Sequence, residues 1–223
     1  MGGVDTPSQS TPCTPPYCYL GQPNELHIND GLGVYTLLNG TSLTDAATVD
    51  AATMAIAFGD LDGDGFVDAI LGMALMNGAT SVAAPNTVHR NLQGGGFAHV
   101  RGTSISAGPD VHTYTLALAD IDGDGILDLF VGNWALPNTY GAFESSTQQT
   151  SMVNQFHKGT GNLTFVERLA SDGFSFCDGA ASTTGAAWGD YDADGDLDLV
   201  VVNEVSVNEL HRNGIRKMAR TLD

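Results

Sequence analysis

Three nine-residue windows of the chain share one spacing of carboxylates. They read Asp60-Leu-Asp-Gly-Asp-Gly-Phe-Val-Asp68, Asp120-Ile-Asp-Gly-Asp-Gly-Ile-Leu-Asp128 and Asp190-Tyr-Asp-Ala-Asp-Gly-Asp-Leu-Asp198. Side chains at positions 1, 3, 5 and 9 converge when such a loop wraps one centre, and position 7 adds a backbone carbonyl. The expected ligands are Asp60, Asp62, Asp64, Phe66 and Asp68; Asp120, Asp122, Asp124, Ile126 and Asp128; and Asp190, Asp192, Asp194, Asp196 and Asp198. Phe66, Ile126 and Asp196 would contribute carbonyl oxygens. Gly at position 6 permits the sharp turn. A cluster of hard oxygens of this size suits Ca2+, giving three expected sites. Mg2+ would prefer fewer carboxylates and more water. Zn2+ is disfavoured because no Cys or His enters the loop. A helical EF-hand needs an acidic residue at position 12, where this chain has Leu71, Val131 and Val201, so that motif is rejected. Without a cation, four close carboxylates would repel one another.

These loops reshape the meaning of the overall charge. The chain has 223 residues, 26 acidic and 8 basic, for a formal net charge of −18. Thirteen of the 26 acids lie in the three windows. Three bound Ca2+ would bring the formal charge to about −12. Such a balance argues against nucleic-acid binding, which needs clustered Lys and Arg. It equally argues against an anionic membrane as the main partner. No apolar run approaches the roughly 18 residues of a membrane span. The first residues lack a basic segment followed by an apolar stretch, so no signal peptide is visible. Catalytic signatures are missing as well. There is no Gly-x-Ser-x-Gly elbow, no phosphate-cradling Gly loop with Lys and no His-Glu-x-x-His. The aspartates that hold a metal make poor general acids, so the chain is read as a non-enzyme.

The elements that position the loops follow from a repeat. A second motif alternates with the acidic windows: Asn24-Glu-Leu-His27-Ile-Asn29, Asn86-Thr-Val-His89-Arg-Asn91, Asn154-Gln-Phe-His157-Lys-Gly159 and Asn208-Glu-Leu-His211-Arg-Asn213. A small-residue stretch enters each acidic loop and a short apolar run leaves it. These runs are too short for helices and rich in β-branched residues, so they read as strands. The Asn-x-apolar-His segment is a third strand. After a Gly-rich turn, a fourth begins at Tyr35, Phe97 or Phe165. The class is all-β, and four antiparallel strands per 60 to 70 residues describe β-propeller blades. A two-sheet sandwich is the alternative, but it does not explain why one loop recurs at one place in each unit. The expected organisation is a Pro- and Cys-containing segment 1–22, repeats over 23–213 and a basic tail 214–223. Within the repeats lie a partial blade 23–40, blades 52–102 and 112–169, and a partial blade 183–213. That is about three and a half blades, whereas propellers close with 4 to 8. The ring is therefore expected to be incomplete, or part of a longer or oligomeric propeller.

Phe58-Gly-Asp-Leu-Asp-Gly-Asp-Gly-Phe-Val-Asp68 and its two sisters, with the Asn-x-Leu-His-x-Asn strand, resemble FG-GAP/VCBS repeats. Such repeats build integrin α-subunit propellers and many secreted adhesion and lectin-like proteins. The resemblance covers about residues 22 to 213. It implies Ca2+ in the loop between the first and second strands of each blade. It also implies an extracellular or cell-surface role in adhesion, or in binding a protein or glycan. In that family the connection between the second and third strands lies opposite the calcium loops, on the ligand-binding face. Trp134, Tyr140 and Phe143 in the longest such connection are the candidate contact residues, unless they fold back and cap the blade. The shorter equivalent, Ala74 to Pro85, is a secondary candidate. Relatives commonly carry Tyr where this chain has His27, His89, His157 and His211. That favours packing between blades over a metal-binding ring.

Other features stand apart from the repeat. Cys13 and Cys18 in Thr11-Pro-Cys-Thr-Pro-Pro-Tyr-Cys18 are expected to form a local disulfide, leaving Cys177 over. This cysteine usage favours an oxidising compartment. Asn39-Gly-Thr41 and Asn162-Leu-Thr164 fit the N-glycosylation pattern at expected turns. Four of the eight basic residues, Arg212, Arg216, Lys217 and Arg220, fall in the last twelve positions. Open strands at both ends suggest a second role, as a structural subunit of an extracellular filament or larger complex in which neighbouring chains complete the propeller.

Overall fold

The computed structural model describes residues 24–43, 51–75, 85–103, 105, 112–134, 153–168, 182–204 and 206–213. Cys13, Cys18, Cys177, Tyr140, Phe143, most of the 74–85 connection and the basic tail after Asn213 lie outside them. All regular structure among the described residues is β. The strands are β1 (Leu26–Asn29), β2 (Tyr35–Leu38), β3 (Ala51–Gly59), β4 (Asp68–Leu75), β5 (Thr87–Asn91), β6 (Phe97–Val100), β7 (Thr113–Ala119), β8 (Asp128–Asn133), β9 (Gln155–Gly161), β10 (Thr164–Arg168), β11 (Thr183–Gly189), β12 (Asp198–Asn203) and β13 (Glu209–His211). They form four antiparallel sheets in chain order: β1-β2, β3-β4-β5-β6, β7-β8-β9-β10 and β11-β12-β13. The alternating motifs therefore become one two-stranded, two four-stranded and one three-stranded sheet. Among the described residues these sheets do not close on one another.

The registers repeat from sheet to sheet. The aspartate that ends each acidic loop starts the second strand, opposite the residue that ends the first: Gly59↔Asp68, Ala119↔Asp128 and Gly189↔Asp198. Every first strand also shifts register at its start, between Thr53 and Ala55, Thr113 and Thr115, and Thr183 and Gly185. Such a bulge adds twist and bends the strand. The turn from β9 to β10 is built on Asn162 and Leu163, with φ of 52° and 63°. Two successive positive φ values belong to the tight hairpin whose twist matches its strands.

The second strands β4 and β8 are buried on both faces, and each face meets a different sheet. Ala69 and Leu71 pack with Leu43 and Leu26 towards the first sheet, while Ile70 packs with Leu129, Val131 and Phe165 of the third. One repeat later, Leu129 faces the second sheet while Phe130 packs with Leu199, Val201 and Trp188 of the fourth. First strands lie beside one another, β3 against β7 and β7 against β11. Burial on both faces explains why these runs are continuously apolar rather than alternating.

Close approach between sheets requires glycine at two positions. A Cβ on Gly132 would come within 2.3 Å of the Thr115 methyl and 2.7 Å of the Thr183 methyl. A Cβ on Gly72 would come within 2.7 Å of the Thr113 methyl. The fourth sheet has Val202 at the equivalent place, where no further described sheet packs. Polar joints reinforce the stacking. Asn24 Nδ2 donates to Thr53 Oγ1 at 2.9 Å, and Asn154 Nδ2 to Thr183 Oγ1 at 3.0 Å. At these two joints the asparagine just before the third strand reaches the first strand of the following sheet.

Candidate metal centre

The three acidic loops fold in the same way. At position 1, Asp60 Oδ1 accepts from Gly63 N at 2.8 Å and Asp64 N at 3.2 Å, while Oδ2 accepts from Gly65 N at 2.9 Å. Asp120 accepts from Gly123, Asp124 and Gly125 at 2.8, 3.0 and 2.9 Å. Asp190 accepts from Asp194 and Gly195 at 3.1 and 2.9 Å. Wrapping the chain around this carboxylate forces positive φ at position 6, at Gly65, Gly125 and Gly195. Position 4 is left-handed too, and there the third loop carries Ala193 at φ 59° in place of glycine.

Position 9 is a staple. Asp68, Asp128 and Asp198 are buried at the start of their second strands. One oxygen accepts from the loop: Leu61 N at 2.9 Å, Ile121 N at 3.2 Å or Tyr191 N at 3.1 Å. The other accepts from the end of the third strand or just beyond: Asn91 N, Gly159 N or Asn213 N, each at 2.8 Å. Burial pushes the Asp68 carboxyl above its usual range, against the pull of the Asn91 and Leu61 N–H groups. Burial likewise raises Asp128, against Gly159 and Ile121. Gly159 is required here, because a Cβ would lie 2.1 Å from the Leu127 carbonyl oxygen.

Carboxylate oxygens of Asp60, Asp62 and Asp68 lie within 4.8 Å of one another, as do those of Asp120, Asp122 and Asp128. In the third loop the convergent set is Asp190, Asp192 and Asp194. The fold therefore brings three of the four expected carboxylates of each loop together, leaving Asp64, Asp124 and Asp198 outside the convergent sets. Position 5 also accepts from the N–H of position 7, in Asp64–Phe66, Asp124–Ile126 and Asp194–Asp196, at 2.9 to 3.1 Å. Donor chemistry and spacing fit a hard divalent cation. An independent sign is Asp192 Oδ1, buried with no hydrogen-bond partner.

Sequence reasoning missed three residues of these centres. Arg90, Lys158 and Arg212 each extend from the third strand, or one residue beyond it, onto the acidic loop of their own sheet. Hydrogen bonding from Lys158, only partly offset by burial, holds Asp124 below the usual carboxylate range. The Asp196 N–H and Arg212 do the same for Asp194. The signal was in the sequence: a basic residue follows the histidine wherever an acidic window precedes it.

The histidines take no part in the carboxylate clusters. His89 and His157 are buried on the faces of Ala69 and Leu129, their cross-strand partners. His89 bonds Ser42 Oγ at 2.7 Å and Thr87 Oγ1 at 2.8 Å. Neither ring nitrogen of His157 has a partner. In the terminal sheets, His27 and His211 instead bond Glu25 and Glu209 at 2.9 and 2.8 Å. Trp134 lies just past β8, at the end of the sheet away from the acidic loop. Its ring N–H donates to Glu204 at 2.5 Å and its ring sits 5.2 Å from Tyr114. Asn39 and Asn162 are both exposed. No helix among the described residues is long and apolar enough to cross a membrane. No family model and no curated protein matches the chain.

Proposed function

We propose that the chain is a Ca2+-binding extracellular β-propeller module of FG-GAP/VCBS type that mediates adhesion, or binding to a protein or glycan. The observation that carries the reading is the threefold recurrence of one carboxylate loop at the same place in successive sheets. The contacts of β3 with β7 and of β7 with β11 suit blades arranged about an axis. Bound Ca2+ would supply positive charge at the converging oxygens of each loop. The chain contributes the rest. Position 1 holds the loop closed, position 9 ties it to the third strand, and positions 3 and 5 present the remaining carboxylates. The role of the ion is structural, since every ligand belongs to a turn that joins two strands of one blade. Trp134, with Tyr140 and Phe143, would form the ligand-contact surface at the opposite end.

Extracellular Ca2+ modules have Kd of roughly 10⁻⁴ to 10⁻³ M. At Ca2+ about ten times Kd, each site adds about 1.4 kcal/mol, or about 4 kcal/mol for three. That corresponds to roughly 10 °C in melting temperature for a domain of this size. The test is thermal melting in CaCl2 and in EDTA. A melting temperature unmoved by chelator would refute the calcium reading.

A second reading, assembly through open faces, is favoured by one pattern of exposure. Leu116 and Leu118 of β7, and Ala186 and Trp188 of β11, pack on the preceding sheet. The matching face of β3 (Met54, Ile56 and Phe58) is 38 to 49% exposed. At the other end Val200 and Leu210 are exposed, although their counterparts Ile70 and Val88 are fully buried. A neighbouring chain could cover both faces, although Val202 at the glycine position would hold an incoming strand further out. Light scattering with and without Ca2+ separates the readings, because a monomer in both conditions would exclude assembly.

A further inference from the structure

Three of the chain's eight basic residues, Arg90, Lys158 and Arg212, occupy one repeat position, directly after the third-strand histidine. Arg90 Nε lies 2.7 Å from Asp62, and its terminal nitrogen 3.1 Å from Asp64. Lys158 Nζ lies 2.9, 2.7 and 3.3 Å from Asp122, Asp124 and Asp128. Arg212 lies 2.7 and 3.0 Å from Asp192 and Asp194. Each cation thus sits on the carboxylates at positions 3 and 5 of its own loop. The first sheet has the Asn-x-x-His element but no acidic loop among the described residues, and there the same position is Ile28. The basic residue accompanies the loop rather than the strand.

We propose that Arg90, Lys158 and Arg212 are tethered counter-ions that neutralise the metal-free loops, give way when a divalent cation enters, and so set the affinity of each loop. The proposal rests on the metal-binding reading above. An empty loop of clustered carboxylates repels itself, and a covalently attached cation relieves that repulsion at a high local concentration. The same charge opposes an incoming Ca2+, both by repulsion and by holding the carboxylates it needs. The three loops are therefore unequal. Lys158 is only 17% exposed and touches three carboxylates, whereas Arg212 is 61% exposed and touches two. The second loop should bind Ca2+ most weakly and fill last.

The experiment is calorimetric titration of CaCl2 into the full chain, with the wild type beside Lys158→Gln, Arg212→Gln and the charge-keeping Lys158→Arg. Lys158→Gln should tighten one site by about tenfold, Arg212→Gln should tighten another by less, and Lys158→Arg should stay near wild type. In EDTA both Gln variants should melt below the wild type, and the gap should close in saturating CaCl2. Arg212→Gln alters a largely exposed side chain, so it keeps the test decisive if Lys158→Gln does not fold. Ca2+ binding that is unchanged or weakened in the Gln variants, with an equal melting loss in both buffers, overturns the proposal and leaves the metal reading intact. No Ca2+ binding by the wild type or any variant overturns both.

Discussion

His157 gives the sharpest test of how the sheets are packed. It lies on the face of Leu129 that meets the second sheet, fully buried, with both ring nitrogens unpartnered. Burial without a hydrogen bond pushes its pKa down to about 4, from an ordinary 6.5. The unfolded chain therefore takes up a proton at a pH where the folded chain cannot. Stability from the neutral ring is fully present above about pH 6.5 and is lost as pH falls towards 4. Linkage puts the loss at about 2 kcal/mol between pH 7.5 and pH 5, and about 3 kcal/mol once both forms are protonated. Replacing His157 by Leu keeps the volume and removes the titration. The assay is urea unfolding of wild type and His157→Leu at pH 7.5, 6 and 5 in one buffer system. Other groups titrate alike in both proteins, so the difference isolates this ring. The variant should gain about 2 kcal/mol on the wild type between pH 7.5 and pH 5. Parallel pH profiles would refute the placement of His157 in the interface.

Further substitutions probe the loops and the stacking. Asp128→Ala removes the acceptor for the Ile121 and Gly159 N–H groups, so unfolding assays should show a loss of about 3 kcal/mol even without Ca2+. Gly159→Ala drives a methyl into the Leu127 carbonyl and should prevent native folding, read as loss of the cooperative melt. Phe130→Ala, between the third and fourth sheets, should cost about 3 to 5 kcal/mol in chemical denaturation. Ala193→Gly relaxes the left-handed residue of the third loop and should raise stability by about 1 kcal/mol, seen as a higher denaturation midpoint.

Strands and their grouping were legible because the repeat wrote them several times. The Asn-x-x-His element and the aspartate that starts each second strand mark the same register in the three sheets that carry an acidic loop. The first loop residues were legible because metal chemistry restricts both type and spacing. What escaped was mostly long range. Only the repeat, a basic residue after each such histidine, marks Arg90, Lys158 and Arg212 as loop partners, since 26 to 36 residues separate Arg90 and Lys158 from the carboxylates they touch. The same holds for position 9, whose second oxygen binds a strand far along the chain. Trp134 was legible as an aromatic in a long connection. Its attachment to Glu204, 70 residues away, depends on how the third and fourth sheets stack.

The account turns on whether each loop takes up a calcium ion. Equilibrium dialysis of the full chain against radioactive Ca2+ at millimolar concentration counts the ions directly. Three ions per chain are expected, falling to two when Asp62 is replaced by Ala. A wild-type chain that retains none would contradict it.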